Sequence, residues 1–520
     1  MKKLLSLLVA IAILAALCAT AAADPIVTEP LTLKVMEYTI ENQQVDYDTM
    51  WFYQELEKNT GIHIEWESVK DGDWETQRNL MFISGDYPDV IMRGSIDYEE
   101  YGVAQGILLP LDDLIPLYMP NYAARLEMNG VKDAMVASDG HMYYIGNLIA
   151  QGVNHDGNHY INKAWLDKLG LEIPTTIDEL TEVLRAFKTQ DPNGNGIADE
   201  IPFSGGDLIH QTQGLYTHFA NFGVPLNRYT AARINAEDKV EFIGDVEGFR
   251  QAVEWLHLCY EEGLLDKEAI TQDSNVWGEK MNQGIVGYTT YLRLINTALT
   301  PEIAAQYVSI LPPKADGLSV AVPEIMELPG DGASLTVANK HVEETLRWLD
   351  AQFETETMMV AYNGPIKEGG PIDPTIKIND EGKYEVIYIP ENNGLYQYVP
   401  VYMAQFFAPA DYYAPIYQMA PHRIERYNTS QDYANAGVLE PKSFNYLTKL
   451  VKLPSEEATE AARLFTDLDA FLRESITTFI TAGVTDASWE AFKATAKAVG
   501  SERYVELYQA GYDTFLENNK

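Results

Sequence analysis

Between residues 33 and 92 the chain switches hydrophobic period again and again, and that rhythm restricts the fold more than any other feature. Residues 33–38 and 62–69 alternate apolar and polar side chains as strands do, while 49–59 and 74–84 space their apolar residues three and four apart as helices do. A buried strand over 89–92 closes the series, residues 106–114 read as a strand end entering a short capped helix, and 142–148 read as a further strand. Strands separated by helices of this length predict a mostly parallel sheet covered by helices.

Past residue 150 helical spacing takes over, at 162–169, 176–188, 248–262 and 274–283, before β-rich stretches return at 285–292 and 333–337. Helices then dominate at 342–353, 456–480, 489–499 and 503–516. The chain has 520 residues and 46% hydrophobic content. That is enough for two cores, and the double alternation predicts two α/β lobes crossed several times by the chain.

The segment Asp191-Pro-Asn-Gly-Asn-Gly-Ile-Ala-Asp-Glu200 places oxygen ligands at the spacing a tight loop needs to wrap a hard cation. Calcium loops of EF-hand type draw ligands from positions 1, 3, 5, 7 and 9, with a backbone carbonyl at 7 and Gly at 6. Those positions here are Asp191, Asn193, Asn195, Ile197 and Asp199, with Gly196 at the turn. Pro202 stands where a bidentate Glu belongs, so Glu200 is the expected substitute. The alternative is an Asn- and Gly-rich surface turn.

Residues 1–23 combine Lys2 and Lys3, an apolar run from Leu4 to Leu17, and Ala21-Ala22-Ala23 before Asp24, the pattern of a secretory signal peptide. Leu17 sits where a lipobox needs a small residue before Cys18, so cleavage after Ala23 is expected, with a lipoprotein tethered through Cys18 as the alternative. Cleavage leaves Cys259 alone, on the apolar pattern Phe249, Val253, Leu256, Leu258 and Tyr260, and a lone thiol forms no internal disulfide. The 77 Asp and Glu outnumber 37 Lys and Arg, a net charge of −40 that becomes −42 without Lys2 and Lys3. A field of that sign disfavours nucleic acid and anionic membrane as partners.

The run Tyr160-Ile-Asn-Lys-Ala-Trp-Leu-Asp-Lys-Leu-Gly-Leu-Glu-Ile-Pro-Thr-Thr-Ile-Asp-Glu-Leu180, followed by the Asp191 loop, resembles the extracellular solute-binding proteins, family 1, of bacterial ABC importers. Leu80-Met-Phe-Ile-Ser-Gly-Asp-Tyr-Pro-Asp-Val-Ile91, Tyr260-Glu-Glu-Gly-Leu-Leu-Asp266, Phe479-Ile-Thr-Ala-Gly483 and Tyr508-Gln-Ala-Gly-Tyr512 extend the likeness along most of the chain. The resemblance implies a periplasmic-binding-protein type II fold, two α/β lobes joined by several hinge crossings. It also implies a monomeric receptor that closes on a solute and hands it to a membrane permease without chemistry. Larger members, similar to alginate-binding proteins, take oligosaccharides and hold a structural calcium in such a loop. The departure is Asn363-Gly-Pro-Ile-Lys-Glu-Gly-Gly-Pro371, in place of the family's Gly-rich acidic segment. The expected division is 24–152 for the first part of lobe 1 and 153–284 for lobe 2 with loop 191–200. Residues 285–345 would cross and return, and 346–520 would complete both lobes.

Sugar binding calls for flat apolar faces and planar polar groups, and open α/β sheets bind beyond the carboxyl ends of their strands. Glu37 and Tyr38 end the first strand, Trp74 begins the helix after the second, and Arg93 follows the third. From the helical lobe come Trp277, and Tyr291 with Arg293 at the end of the crossing strand. Each has a structural alternative: Trp277 as helix packing, Tyr291 as core, Arg93 as an ion-pair partner. Trp165 and Trp255 fall on apolar helix stripes and belong to the core. The aromatic, Pro-broken segments 396–402 and 412–413 are lid candidates.

No His-Glu-x-x-His, Gly-x-Ser-x-Gly or phosphate loop occurs, and the nine His lack metal spacing. A glycosidase needs only two carboxylates and so leaves no motif. A calcium-dependent adhesion or sensory module is the third class considered. The reading adopted is a secreted oligosaccharide receptor with a structural calcium, and a peptide receptor or a secreted glycoside hydrolase are its alternatives. The negative field suits basic peptides and opposes uronate polymers.

Overall fold

The computed structural model describes residues 25–518, apart from 40–45, 95, 127–131, 148–154, 156, 210–213, 292–293, 295–298, 325–329, 388–393, 401–415 and 419–420. The expected signal segment and Cys18 lie outside the described residues. The chain divides into two compact units, one of Met1–Ala150 with Leu328–Met419 and the other of Gln151–Glu327 with Ala420–Lys520.

The sheet of the first unit runs β2 (Ile62–Lys70), β1 (Leu31–Thr39), β3 (Val90–Met92), the strand Gly330–Leu335 and β4 (Ile145–Asn147). β1 pairs in parallel with both β2 and β3, as two consecutive strand-helix-strand crossovers require, while Gly330–Leu335 returns antiparallel to β3 and β4. Helices Trp51–Thr60 and Asp71–Ser84 make the crossovers, and left-handed Gly61 and Gly85 end them. One face of β1 supplies Leu33 and Val35 to a core with Met92, Ala333 and Trp348, and the other supplies Met36 to a smaller core with Trp74 and Ile91.

In the second unit the sheet order is Tyr307–Ile310, β5 (Asn158–Asn162), Val286–Tyr291 and β6 (Ile201–Phe203). Residues 285–310 therefore build this sheet, and the chain passes to the other unit only at Glu327/Leu328, later than the crossing expected from 285. The reason is that both strands hydrogen-bond to β5. Helix Ile177–Thr189 starts at a Thr176/Glu179 capping box, which satisfies two orphan N–H groups. It packs Leu180, Leu184 and Phe187 into a core shared with Glu247–Glu261, Ser455–Ala482 and Ser501–Asn518. Trp165, Trp255 and Cys259 are buried there, as their stripes predict. Among the described residues Cys259 is the free cysteine, its thiol pushed up by burial, and no helix is long and apolar enough to cross a membrane.

Candidate functional site

In the first unit the carboxyl ends of β1 and β3 and the helix Asp71–Ser84 bring three of the expected residues, Tyr38, Trp74 and Arg93, together. Strand alternation sets Glu37 and Thr39 on the face of Leu33 and Val35, and Tyr38 on the face of Met36. Tyr38 is half-buried and meets the Trp74 ring edge-on, with centroids 5.6 Å apart. The Arg93 guanidinium lies 5.6 Å above the Tyr38 ring, and its Nη1 donates a long hydrogen bond of 3.5 Å to the Tyr38 carbonyl.

Backbone geometry holds this edge in place. Arg93 follows β3 at φ 59 and Gly94 at φ 71, a left-handed pair that only the glycine adopts without strain. A Cβ at Gly94 would run into the Trp74 indole, so the chain can pass there only as glycine. Trp74 is buried at 4% exposure, its Nε1 without a hydrogen-bond partner. It supports the edge from behind and offers no open ring face. A half-exposed phenol beside a guanidinium with five N–H donors suits a ligand with an apolar ring face and vicinal oxygens.

Glu37 belongs to a different environment. It is 1% exposed, and both carboxyl oxygens lack a hydrogen-bond partner, as do the neighbouring hydroxyls of Thr39, Tyr47 and Tyr53. Desolvation pushes its pKa up to about 8 despite the Arg93 charge, so at neutral pH Glu37 is an uncharged acid. The Tyr47 and Tyr53 rings sit 5.0 and 4.7 Å from that of Trp66.

In the second unit Trp277 is 3% exposed, and its Nε1 donates to the Thr289 hydroxyl at 3.1 Å. Its ring lies 4.8 Å from that of Tyr291, which is half-buried at the end of its strand. The structure gives Glu37, Trp74 and Trp277 core positions, because each continues an apolar layer past the point where sequence suggests a strand end or helix start. Arg293, Tyr402, Tyr412 and Tyr413 lie outside the described residues. A chain of buried polar rings went unnoticed in sequence: His159 Nδ1 meets the Tyr288 hydroxyl at 2.5 Å, and the same hydroxyl approaches His218 Nδ1 at 3.5 Å. The signal available was β5 itself, Asn158-His-Tyr-Ile-Asn162, a short strand rich in polar residues and buried throughout.

The Asp191 loop is wound inward. Asp191 (φ 48), Gly194 (φ 78) and Gly196 (φ 76) turn left-handed, and the Asp191 carboxylate accepts from the backbone N–H of Gly194 at 2.9 Å and of Gly196 at 3.3 Å. Asn193 and Asn195 both donate side-chain amides to Asp199, at 2.8 and 3.0 Å. Glu200 has a buried Oε1 without a partner, and its pKa is raised by burial and by the charges of Asp191 and Asp199. Ile197 points its side chain outward at 62% exposure, leaving its carbonyl as its contribution. Among the described residues no group of three or more His, Cys, Asp or Glu stands at metal-holding distance, so any ion here relies on the asparagine and backbone oxygens as well. An orphaned carboxylate oxygen among hard oxygen donors fits calcium.

Residues 42–359 match a family model described as bacterial extracellular solute-binding protein. The fructooligosaccharide ABC transporter substrate-binding protein FusA of Streptococcus pneumoniae serotype 4 is 30% identical over 509 residues, 94% of this chain and 91% of that protein. Two S. pneumoniae FusA structures, one in complex with kestose and one an EF-hand mutant in complex with fructo-nystose, share 26% identity and a TM-score of 0.74, over 94% of this chain and 100% of theirs. An extracellular solute-binding protein of Bifidobacterium longum subsp. infantis shares the fold at TM-score 0.78 and 22% identity, over 94% of this chain and 98% of that one.

Proposed function

Since this chain belongs to the bacterial extracellular solute-binding proteins, we propose that it is an ABC importer's receptor for an oligosaccharide, delivering it unaltered to a membrane permease. The observation that carries this reading is the 30% identity, along nearly the whole chain, to a fructooligosaccharide-binding protein. The Tyr38–Arg93 edge supports it chemically, since a phenol face and a planar donor fork match a sugar ring and its hydroxyl pairs. In this reading Tyr38 and Arg93 are the contacts of the first unit, with Trp74 as their packing support; for the second unit taken by itself, Tyr291 is the contact, with Trp277 behind it, and Arg293 a further candidate. The protein is exported by residues 1–23 and performs no reaction on its ligand.

Calcium in this reading is a permanent brace of the second unit, held by Asp191, Asn193, Asn195, the Ile197 carbonyl, Asp199 and Glu200. The orphaned Glu200 oxygen and the EF-hand recorded in FusA support that assignment. A melting screen against kestose, other neutral oligosaccharides and basic peptides tests the receptor reading. Stabilisation by a sugar is expected, and a shift with peptides alone would overturn it.

A further inference from the structure

Glu37 and Arg93 face each other electrostatically without forming an ion pair. Glu37 is opposite Met92 in the β1–β3 register, so Arg93 begins one residue beyond it. Arg93 lies past the end of β3, where strand alternation no longer sets its direction; its guanidinium rests over Tyr38 and its Nη1 donates to the Tyr38 carbonyl, while the Glu37 carboxyl is buried on the face of Leu33 and Val35. The Arg93 charge reaches the Glu37 carboxyl, yet neither carboxyl oxygen has a hydrogen-bond partner. Arg93 is also held at a left-handed φ that a non-glycine residue adopts only under strain. An unpaired acid thus lies in the field of a cation whose hydrogen bond to the Tyr38 carbonyl is long, at 3.5 Å.

We propose that Glu37 is a positioning residue for ligand capture: as an uncharged acid it leaves the Arg93 guanidinium over Tyr38, and once ionised it draws that guanidinium inward to pair with it. The inference rests on the Tyr38–Arg93 edge taking the sugar and adds a control that the edge itself does not contain. A carboxylate formed at a 1% exposed position without a hydrogen-bond partner calls for a counter-ion, and Arg93 is the cation whose charge acts on it. Among the described residues, the titratable groups whose charges act with that of Glu37 are Arg93, Tyr47 and Tyr53. Tyr47, before the helix Trp51–Thr60, and Tyr53, within it, are pushed far upward by burial. β2 brings the Trp66 ring against those tyrosines, and its Glu65 and Glu67 are exposed. Ionisation near pH 8 therefore belongs to Glu37.

The test uses the whole chain, with two readouts. Kestose affinity is measured at pH 7 and pH 9 for the wild type, Glu37→Gln and Arg93→Gln. If only the form with neutral Glu37 binds, wild-type affinity falls about tenfold at pH 9, one unit above the pKa of Glu37. Glu37→Gln, permanently neutral, binds equally at both values, and Arg93→Gln is weak at both. The sugar-free readout is the Arg93 side-chain NMR resonance in arginine-labelled protein, identified by its loss in Arg93→Gln. It shifts off the Tyr38 ring current between pH 7 and pH 9 in the wild type and stays put in Glu37→Gln. An unmoved wild-type resonance, or the same movement in Glu37→Gln, overturns the proposal. Failure to bind any sugar at either pH counts against the receptor reading, and the resonance then decides the proposal by itself.

Discussion

His159 Nδ1 stands 2.5 Å from the Tyr288 hydroxyl in the interior of the second unit, where His159 is 1% exposed and Tyr288 is fully covered. Burial holds the His159 pKa down to about 3, so the folded ring is neutral through the physiological range. The unfolded chain takes up a proton near 6.5, which the folded state refuses until about 3. Stability therefore falls as pH drops through that window, by about 1.4 kcal/mol per unit for each such histidine. Urea unfolding at pH 6.5 and pH 5 should show the loss, and His159→Gln should lessen it, leaving the share of the buried His218. Equal midpoints at both pH values in the wild type would contradict the buried neutral ring.

Glu37 carries the opposite sign. Its folded pKa of about 8 exceeds the unfolded 4.5, so the folded state holds a proton that the unfolded chain has released. That contribution is complete below 4.5 and is lost as pH rises to about 8, again at about 1.4 kcal/mol per unit. Glu37→Gln should remove the decline above pH 5 in a melting series. A variant that declines as steeply as the wild type would show that other groups set the alkaline limb.

Calcium removal should lower the melting temperature, because Asp191, Asp199 and Glu200 would then repel one another without a cation between them. Asp191→Ala should melt lower than the wild type in calcium and ignore a chelator. Identical wild-type melting with and without chelator would sink the metal assignment.

Gly94→Ala places a methyl against Trp74 and forces alanine to a left-handed φ of 71. A loss of about 1–3 kcal/mol in stability is expected, with weakened sugar binding because the Tyr38 ring rests edge-on against Trp74. Wild-type stability in this variant would mean that the turn after β3 tolerates both changes.

The regular elements could be read from spacing because their periods are unbroken. The expected strands 33–38 and 62–69 are Leu31–Thr39 and Ile62–Lys70, and the helix expected over 176–188 is Ile177–Thr189. β5 and β6 escaped, since Asn158–Asn162 is buried on both faces with no apolar alternation and Ile201–Phe203 is too short to show a period. Site residues proved harder. Sequence brought Tyr38, Trp74 and Arg93 to one strand edge, but burial depends on what the other face meets. Glu37 is buried in the company of Tyr47 and Tyr53, and Trp277 is tied to Thr289, neighbours that no local pattern announces.

The most direct measurement is calorimetric titration of residues 24–520, in buffer with calcium, with kestose and a panel of neutral oligosaccharides, with the sugars analysed afterwards. Saturable binding of at least one of them, weakened in Arg93→Gln and leaving the sugar intact, is the predicted result. No binding to any oligosaccharide, or recovery of cleaved sugar, would contradict a receptor that captures its ligand without chemistry.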